Sequence, residues 1–177
     1  MAVCFAFVMS SASCSLLDKV DDITFDVELT HTFSIDETKE DKNVTYGDKE
    51  VLDAADVNDD FDKYKDKIKS ITVTGVTYQV LEHTAGPTTI FTNGTCGFSA
   101  PTGSAATSVA TLNVENIKAA EGQVKNLNYN QQALDEIGSL LKNDKKLNVY
   151  LSGTFSETPV KFNVKIKVKA TITADAL

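Results

Sequence analysis

The chain of 177 residues contains no arginine and no tryptophan, and both absences narrow the choice of partner. All seventeen basic residues are lysines. Arginine supplies the planar fork that holds phosphate and carboxylate groups, and tryptophan is a favoured platform for stacking against sugars or cations. The formal net charge of −8 also repels phosphate backbones. We therefore expect no nucleic acid among the partners.

Cysteine and histidine are scarce as well, with three and two residues. No C-x-x-C pair and no Cys/His cluster has the spacing of a zinc site, and no serine lies in the G-x-S-x-G context of a hydrolase nucleophile. His31 falls on the inward side of a predicted strand, where we expect a buried, hydrogen-bonded side chain. His83 is expected in a loop. The sequence therefore predicts no cofactor and a non-enzymatic protein.

The opening residues, MAVCFAFVMSSASC, combine a short uncharged run with a small-residue segment before cysteine. Residues 2–9 are too few to span a bilayer, which takes about 20, but they match the apolar region of a secretory signal. With Ser11-Ala12-Ser13-Cys14, the stretch resembles a bacterial lipoprotein signal. The resemblance implies cleavage before Cys14 and lipid attached to that cysteine. The alternatives are an ordinary secretory signal cut after Ser13 and a plain N-terminal strand.

This resemblance sets the expected organisation: a signal peptide over 1–13, a tether over 14–21 and one β-rich globular domain over 22–177. The protein would then lie in the bacterial cell envelope, held to a membrane by its N-terminal lipid. A soluble periplasmic or secreted protein is the alternative. If Cys14 is acylated, Cys96 is a lone thiol; otherwise a Cys14–Cys96 disulfide is possible in an oxidising compartment.

The clearest structural signal is a period of two at both ends of the globular part. Residues 22–36 and 160–174 each alternate apolar and polar side chains, which predicts strands with one buried face. The outer face of the first carries the carboxylates Asp22, Asp26, Glu28 and Asp36, and that of the last carries Lys161, Lys165, Lys167 and Lys169. Opposite charges stabilise antiparallel pairs. We predict that the two strands are antiparallel neighbours; the alternative is that the lysines bind an anionic partner.

Between these strands the elements follow no regular strand–helix alternation, so a parallel sheet is not expected. Residues 37–50 are predicted as loop, and Asn93-Gly94 as a type I′ hairpin turn. A β-bulge is predicted at Gly75, and helices are predicted after Asn58 or Asp59, at 117–120 and, capped by Asn130, at 131–142. The fold class is mostly β, an antiparallel β-sandwich with one to three short helices. The alternative is an α+β fold with helices on one face of a curved antiparallel sheet.

One acidic segment has partial calcium-site spacing. The candidate ligands are Asp56, Asn58, Asp60 and Asp62, spaced as in an EF-hand. Phe61 stands where an EF-hand needs glycine, and Lys67 stands where it needs a bidentate glutamate, so an EF-hand is excluded. An irregular calcium site is possible; a solvated acidic helix start is the other interpretation.

The absence of catalytic motifs and the polar, loop-rich surface together predict a binding or scaffolding domain of the cell envelope. Its partner, a protein or a small molecule, is not identified by the sequence. One alternative is a carrier of a small apolar ligand between the sheets. The other is a hydrolase whose site is assembled from distant residues.

Overall fold

The computed structural model describes residues 22–84, 86–112 and 115–176, most of which lie in strands. The strands are β1 (Asp22–Asp53), β2 (Ile68–Leu81), β3 (Ile90–Ser99), β4 (Ser108–Thr111), β5 (Glu115–Asn116), β6 (Val124–Leu127) and β7 (Lys146–Asp175). The helices are α1 (Ala54–Val57), α2 (Asp59–Tyr64), α3 (Ile117–Ala120) and α4 (Gln131–Asp144).

The two longest strands, β1 and β7, pair antiparallel along nearly their whole length. Glu28 lies opposite Lys169, and Asp36 lies opposite Lys161. Nζ of Lys161 is 2.7 Å from Oδ2 of Asp36, and Nζ of Lys167 is 2.6 Å from Oε2 of Glu28. The predicted pairing of the first and last strands, with carboxylates facing lysines, is confirmed.

The sheet is built around β7. On its second edge β7 pairs with β3 through residues 148–155 and with β2 through residues 163–174, both antiparallel. β6 extends the sheet from β2, and β4 and β5 extend it from β3. We call half A the part formed by residues 22–36, residues 160–175, β2 and β6. Half B is formed by residues 41–53, residues 146–155, β3, β4 and β5.

The sheet curls around one core. The 30 residues of β7 would span about 100 Å if they were straight. Yet Leu147 at one end and Ile172 at the other are both fully buried in a single hydrophobic cluster. Helix α4 lies against β2 and β4 and adds Ile137 and Leu141 to that cluster. A mostly β, antiparallel fold with short helices is thus confirmed, as one curled seven-stranded sheet.

Local signals in the sequence identify several boundaries correctly. Oδ1 of Asn58 accepts the N–H of Phe61 at 2.8 Å and caps α2. Oδ1 of Asn130 accepts the N–H of Ala133 at 2.8 Å and caps α4. The pairing of β2 with β7 shifts register at Gly75, the predicted bulge. Helix α3 has the predicted bounds.

The prediction of a loop over residues 37–50 is wrong. These residues continue β1 and pair with residues 149–160 of β7. The segment is rich in charged and polar residues because nearly all of its side chains are exposed, and Tyr46 is its one buried residue. A strand of that composition is held by its backbone ladder to a partner about a hundred residues away in the chain.

The prediction of a hairpin turn at Asn93-Gly94 is also wrong. Both residues lie inside β3, where the register to β7 shifts between Thr92 and Thr95. Asn93 has a φ of 51°, in the left-handed region that a type I′ turn requires and that a β-bulge also uses. The dipeptide therefore bends a continuous strand.

The predicted signal peptide over 1–13, the tether over 14–21 and the lipidation site Cys14 lie outside the described residues, so they stay predictions. In the ranges that the structure does describe, no helix is both long enough and apolar enough to cross a bilayer.

Candidate binding groove

A groove of about 510 Å³ lies on the outer face of half B. This volume falls within the range of about 300–1,000 Å³ that is typical of small-molecule sites. Strands β1, β7 and β3 form its floor, and the segment 100–107 between β3 and β4, here called the wall segment, forms one side. The lining residues are Gly47, Asp48, Lys49, Thr95, Gly97, Ser104, Ala105, Ala106, Val109, Tyr150, Leu151 and Ser152.

The outward residues of the floor stand in two cross-strand rows. The rows are Gly47–Ser152–Thr95 and Lys49–Tyr150–Gly97, each read from β1 through β7 to β3. Oγ1 of Thr95 and Oγ of Ser152 are 2.7 Å apart and share a hydrogen bond. A hydroxyl has one donor and two lone pairs, so this pair keeps one O–H and several lone pairs for a ligand.

A buried amide holds the wall segment in place. Asn148 of β7 is 1% exposed, and its Nδ2 lies among four acceptors. Nδ2 is 2.8 Å from the carbonyl oxygen of Ala100, and 3.2 Å from those of Pro101 and Gly103 and from the hydroxyl of Ser99. An amide has two N–H donors, so these acceptors share them. The wall is therefore fixed to the floor before any ligand arrives.

Tyr150 fastens the same segment from the centre of the floor. Its hydroxyl donates to the carbonyl oxygen of Gly103 at 3.1 Å and lies 3.1 Å from Oγ of Ser99. The N–H of Thr107 donates to the carbonyl oxygen of Phe98 at 2.8 Å and closes the base of the segment. With its hydroxyl engaged, Tyr150 offers mainly its ring to the groove.

Two glycines in the rows have different roles. A Cβ at Gly97 would lie 2.5 Å from Cβ of Ala106, so only glycine lets the wall segment close on the floor. A Cβ at Gly47 would meet nothing nearer than Cβ of Ser152 at 3.8 Å, which is an ordinary contact. A side chain at position 47 would therefore stand over the floor without displacing the strands.

The centre of the outer face of half B carries little charge, whereas half A carries the ion-paired lysines and carboxylates. At the end of the same face of half B, Nζ of Lys146 lies 2.6 Å from Oδ2 of Asp53. Around the groove, Lys49 is the one charged residue among thirteen outward residues of four strands. These residues are Thr45, Gly47, Lys49 and Val51 of β1, Asn148, Tyr150, Ser152 and Thr154 of β7, Thr95, Gly97 and Ser99 of β3, and Val109 and Thr111 of β4. Asp48 borders the groove, and its carboxylate accepts the N–H of Lys49 at 2.7 Å and the hydroxyl of Tyr46 at 3.3 Å. The groove lining therefore has no net charge.

His31 lies on the inward side of β1, half-buried, with its ring edge-to-face against Phe33 at a centroid distance of 4.9 Å. The expectation that it is hydrogen-bonded is wrong: Nε2 is buried and has no partner among the described residues. Burial lowers the pKa of His31, and the charges of Glu50 and Asp48 oppose that shift. The side chain therefore favours the neutral form and lies outside the groove.

His83 follows the end of β2, beside a carboxylate. Its Nε2 is 3.7 Å from Oε2 of Glu121, and its backbone N–H lies 3.5 Å from Oε1 of the same side chain. Both ring nitrogens are buried, and no hydroxyl or thiol of the described residues is hydrogen-bonded to them. A base–nucleophile pair of the kind that the hydrolase alternative needs is not formed here in the described part of the chain.

Cys96 is a buried free thiol on the inward face of β3. Burial raises the pKa of the thiol to about 12, so it stays protonated at neutral pH. Its proposed disulfide partner, Cys14, lies outside the described residues. The inward side chains around Cys96 pack into the common core, which is where the carrier alternative would need a continuous cavity.

The candidate calcium ligands do not converge. Asn58 is engaged as the cap of α2, and Asp62 pairs with Lys65 at 2.7 Å. Asp56 and Asp60 are exposed in the first turns of α1 and α2. Across ranges 22–84, 86–112 and 115–176, no three His, Cys, Asp or Glu side chains are placed to hold a metal ion.

The lysine stripe of β7, the other candidate site, is largely compensated within the sheet. Lys161 pairs with Asp36, and Lys167 and Lys169 lie 2.6 and 3.8 Å from the carboxylate of Glu28. Lys165 lies opposite Thr32. Three of the four lysine charges that an anionic partner would use are thus already engaged by β1.

Sequence reasoning missed the groove entirely. Two residues of the sequence do indicate it: Gly47 and Gly97 each interrupt a strand. A glycine inside a strand often marks a site where another backbone segment comes close. Asn148 is a polar residue between the apolar Leu147 and Val149 of β7. None of these says which loop closes over the sheet.

No protein-family model and no curated protein matches this chain. Among solved structures, it is similar to a chain described as Desmodium yellow mottle tymovirus, with 7% sequence identity and a TM-score of 0.43. The alignment covers 100% of this chain and 92% of that chain. At that TM-score the likeness supports no conclusion about fold or function.

Proposed function

We propose that this protein is a non-enzymatic binding domain of the bacterial cell envelope and that the groove on half B receives its ligand. The observation that carries the proposal is a concavity of suitable volume whose wall is already fixed by Asn148 and Tyr150. A preorganised site binds without the cost of ordering its own loop. The hydroxyls on its floor suit recognition, and neither histidine lies in its lining.

The site is best tested by blocking it. In Gly47→Val, a β-branched side chain that suits a strand would stand over the floor, because position 47 has room for a Cβ. Thr45→Val is the matched control: it lies two residues away on the same face of β1 and does not line the groove.

We expect a thermal-shift screen of the full chain against small molecules, with calcium included, to yield a ligand that stabilises wild type and Thr45→Val but not Gly47→Val. A ligand at a hundred times its Kd stabilises a protein by about 2.7 kcal/mol, a shift in Tm of about 5–10 °C for a chain of this size. The proposal fails if every ligand found shifts all three proteins equally, or if no ligand shifts any of them.

We also propose that the protein is exported and anchored through Cys14. The support is the short apolar run that ends at Ser11-Ala12-Ser13-Cys14. Intact-mass measurement of protein purified from its native cell should give a chain that begins at Cys14 with added acyl mass. A chain that begins at residue 14 without acyl groups would support export and contradict the lipid anchor. A chain that still begins at an unmodified Met1 would contradict both.

A further inference from the structure

We infer that the ligand of the groove is an uncharged saccharide of one or two rings. The inference rests on the proposed binding function and adds the chemical class of the ligand. Three features of the groove point to this class: a lining without net charge, hydroxyl groups on its floor, and an aromatic ring at the centre of that floor.

The charge of the lining disfavours strongly ionic ligands. A quarter of the chain, 24%, is charged, yet the groove lining contains only one lysine, Lys49, and one acidic residue, Asp48, whose Oδ2 accepts the hydroxyl of Tyr46. An anion would find one ammonium group and no arginine, and a cation would find one carboxylate that already accepts two hydrogen bonds. Desolvating an ion against so few counter-charges is unfavourable, whereas a neutral polar ligand avoids that cost.

The polar groups suit a ligand that both donates and accepts hydrogen bonds. The Thr95–Ser152 pair retains one O–H donor and open lone pairs, and the ammonium group of Lys49 brings three donors. A sugar hydroxyl can donate to a lone pair of the floor and accept from its O–H at the same time. A ligand with only acceptors would use the free O–H of the floor but none of its lone pairs.

The aromatic part of the groove suits the C–H groups on the face of a sugar ring. Tyr150 stands between Lys49 and Gly97 in its row and lines the groove, and Ala106 of the wall segment occupies the space over Gly97. The hydroxyl of Tyr150 is held by the wall segment, so the ring is fixed in place. An aromatic face of this kind packs against the C–H groups of a pyranose while the hydroxyls at the ring edge reach the polar floor. The volume of about 510 Å³ limits the occupant to one or two rings.

The inference can be tested by titrating the ¹⁵N-labelled full chain with chitobiose, cellobiose and maltose and following backbone amide shifts. We expect at least one of the three to shift the amides of Gly97, Tyr150 and Ser152 saturably. Ser152→Ala should raise the Kd about two- to tenfold, the effect of one neutral hydrogen bond. Ser34→Ala, which removes a hydroxyl from the outer face of half A, is the control and should leave the Kd unchanged.

Other outcomes overturn the inference in distinguishable ways. If glucuronate binds the groove and the neutral disaccharides do not, the ligand is an anion and the neutral class is wrong. If no sugar shifts these amides but a different compound does, and Gly47→Val abolishes that effect, the saccharide class is wrong and the binding function stands. If nothing shifts them, both proposals fail.

Discussion

Removing the amide of Asn148 should release the wall of the groove. In Asn148→Ala, the carbonyl oxygens of Ala100, Pro101 and Gly103 lose their shared donor. Tyr150 and the backbone bond of Thr107 to Phe98 still hold the segment. The wall should then move on the sheet although β7 keeps its backbone ladder. The substitution therefore tests whether the groove is preformed by this one side chain.

The size of the effect follows from the number of donors. The amide has two N–H groups, each worth about 0.5–1.5 kcal/mol net when hydrogen-bonded, so the loss is about 1–3 kcal/mol. The partly buried carbonyl groups can turn to water, which keeps the effect near the middle of that range. A loss of about 2 kcal/mol corresponds to a fall in Tm of about 4–8 °C for a chain of this size.

Urea denaturation gives the free energy of unfolding, and amide hydrogen exchange locates the change. We expect faster exchange in residues 103–107 with little change in the centre of β7. Asn163→Ala is the matched control, an asparagine on the outer face of the same strand whose bonds to Ser34 and Glu82 are exposed. It should cost less than about 0.5 kcal/mol. If Asn148→Ala is as mild as the control, the amide does not hold the wall and the argument for a preformed groove is refuted.

Three further perturbations test other parts of the fold. Because burial lowers the pKa of His31 in the folded protein, the unfolded chain binds a proton more readily than the folded one. The free energy of unfolding should therefore fall as pH drops below about 6.5. Urea titrations between about pH 7.5 and 5 should show a weaker pH dependence for His31→Phe than for wild type. Lys167→Glu should lower Tm because it places a second carboxylate beside that of Glu28. Adding Glu28→Lys should recover part of the loss in Tm, and no recovery would contradict the observed register. Gly153→Ala should destabilise by about 1–3 kcal/mol, since its Cβ would fall inside a buried phenylalanine ring, and a neutral result in chemical denaturation would show that this ring moves freely.

The parts of the fold that could be predicted are those in which a local pattern has one physical solution. The alternation in 160–174 leaves only one face apolar, and a one-residue slip would bury its lysines, so pairing with residues 22–36 is fixed in register. The caps Asn58 and Asn130 are recognisable because a helix start needs an acceptor for its free N–H groups.

What could not be predicted depends on distant partners. Residues 37–50 form a strand only because β7 also includes residues 149–160, which pair with them. Asn93 adopts the expected left-handed conformation, but the flanking residues pair with β7 instead of with each other. The groove requires Asn148 to meet a segment more than forty residues earlier in the chain, and the sequence of that segment, SAPTGSAATS, indicates only a loop.

The β1–β7 ribbon also dictates the order in which the chain can fold. Among the described residues, β1 pairs only with β7, so residues 22–53 have no strand partner until residues 146–175 are synthesised. Closing that ribbon brings together residues that are 93 apart at Asp53 and Lys146 and 153 apart at Asp22 and Asp175. Such non-local pairing is slow to form. Since β7 also carries β2 and β3, neither half of the sheet can be completed without it. A chain truncated before residue 146 should therefore remain unfolded and form neither half of the sheet.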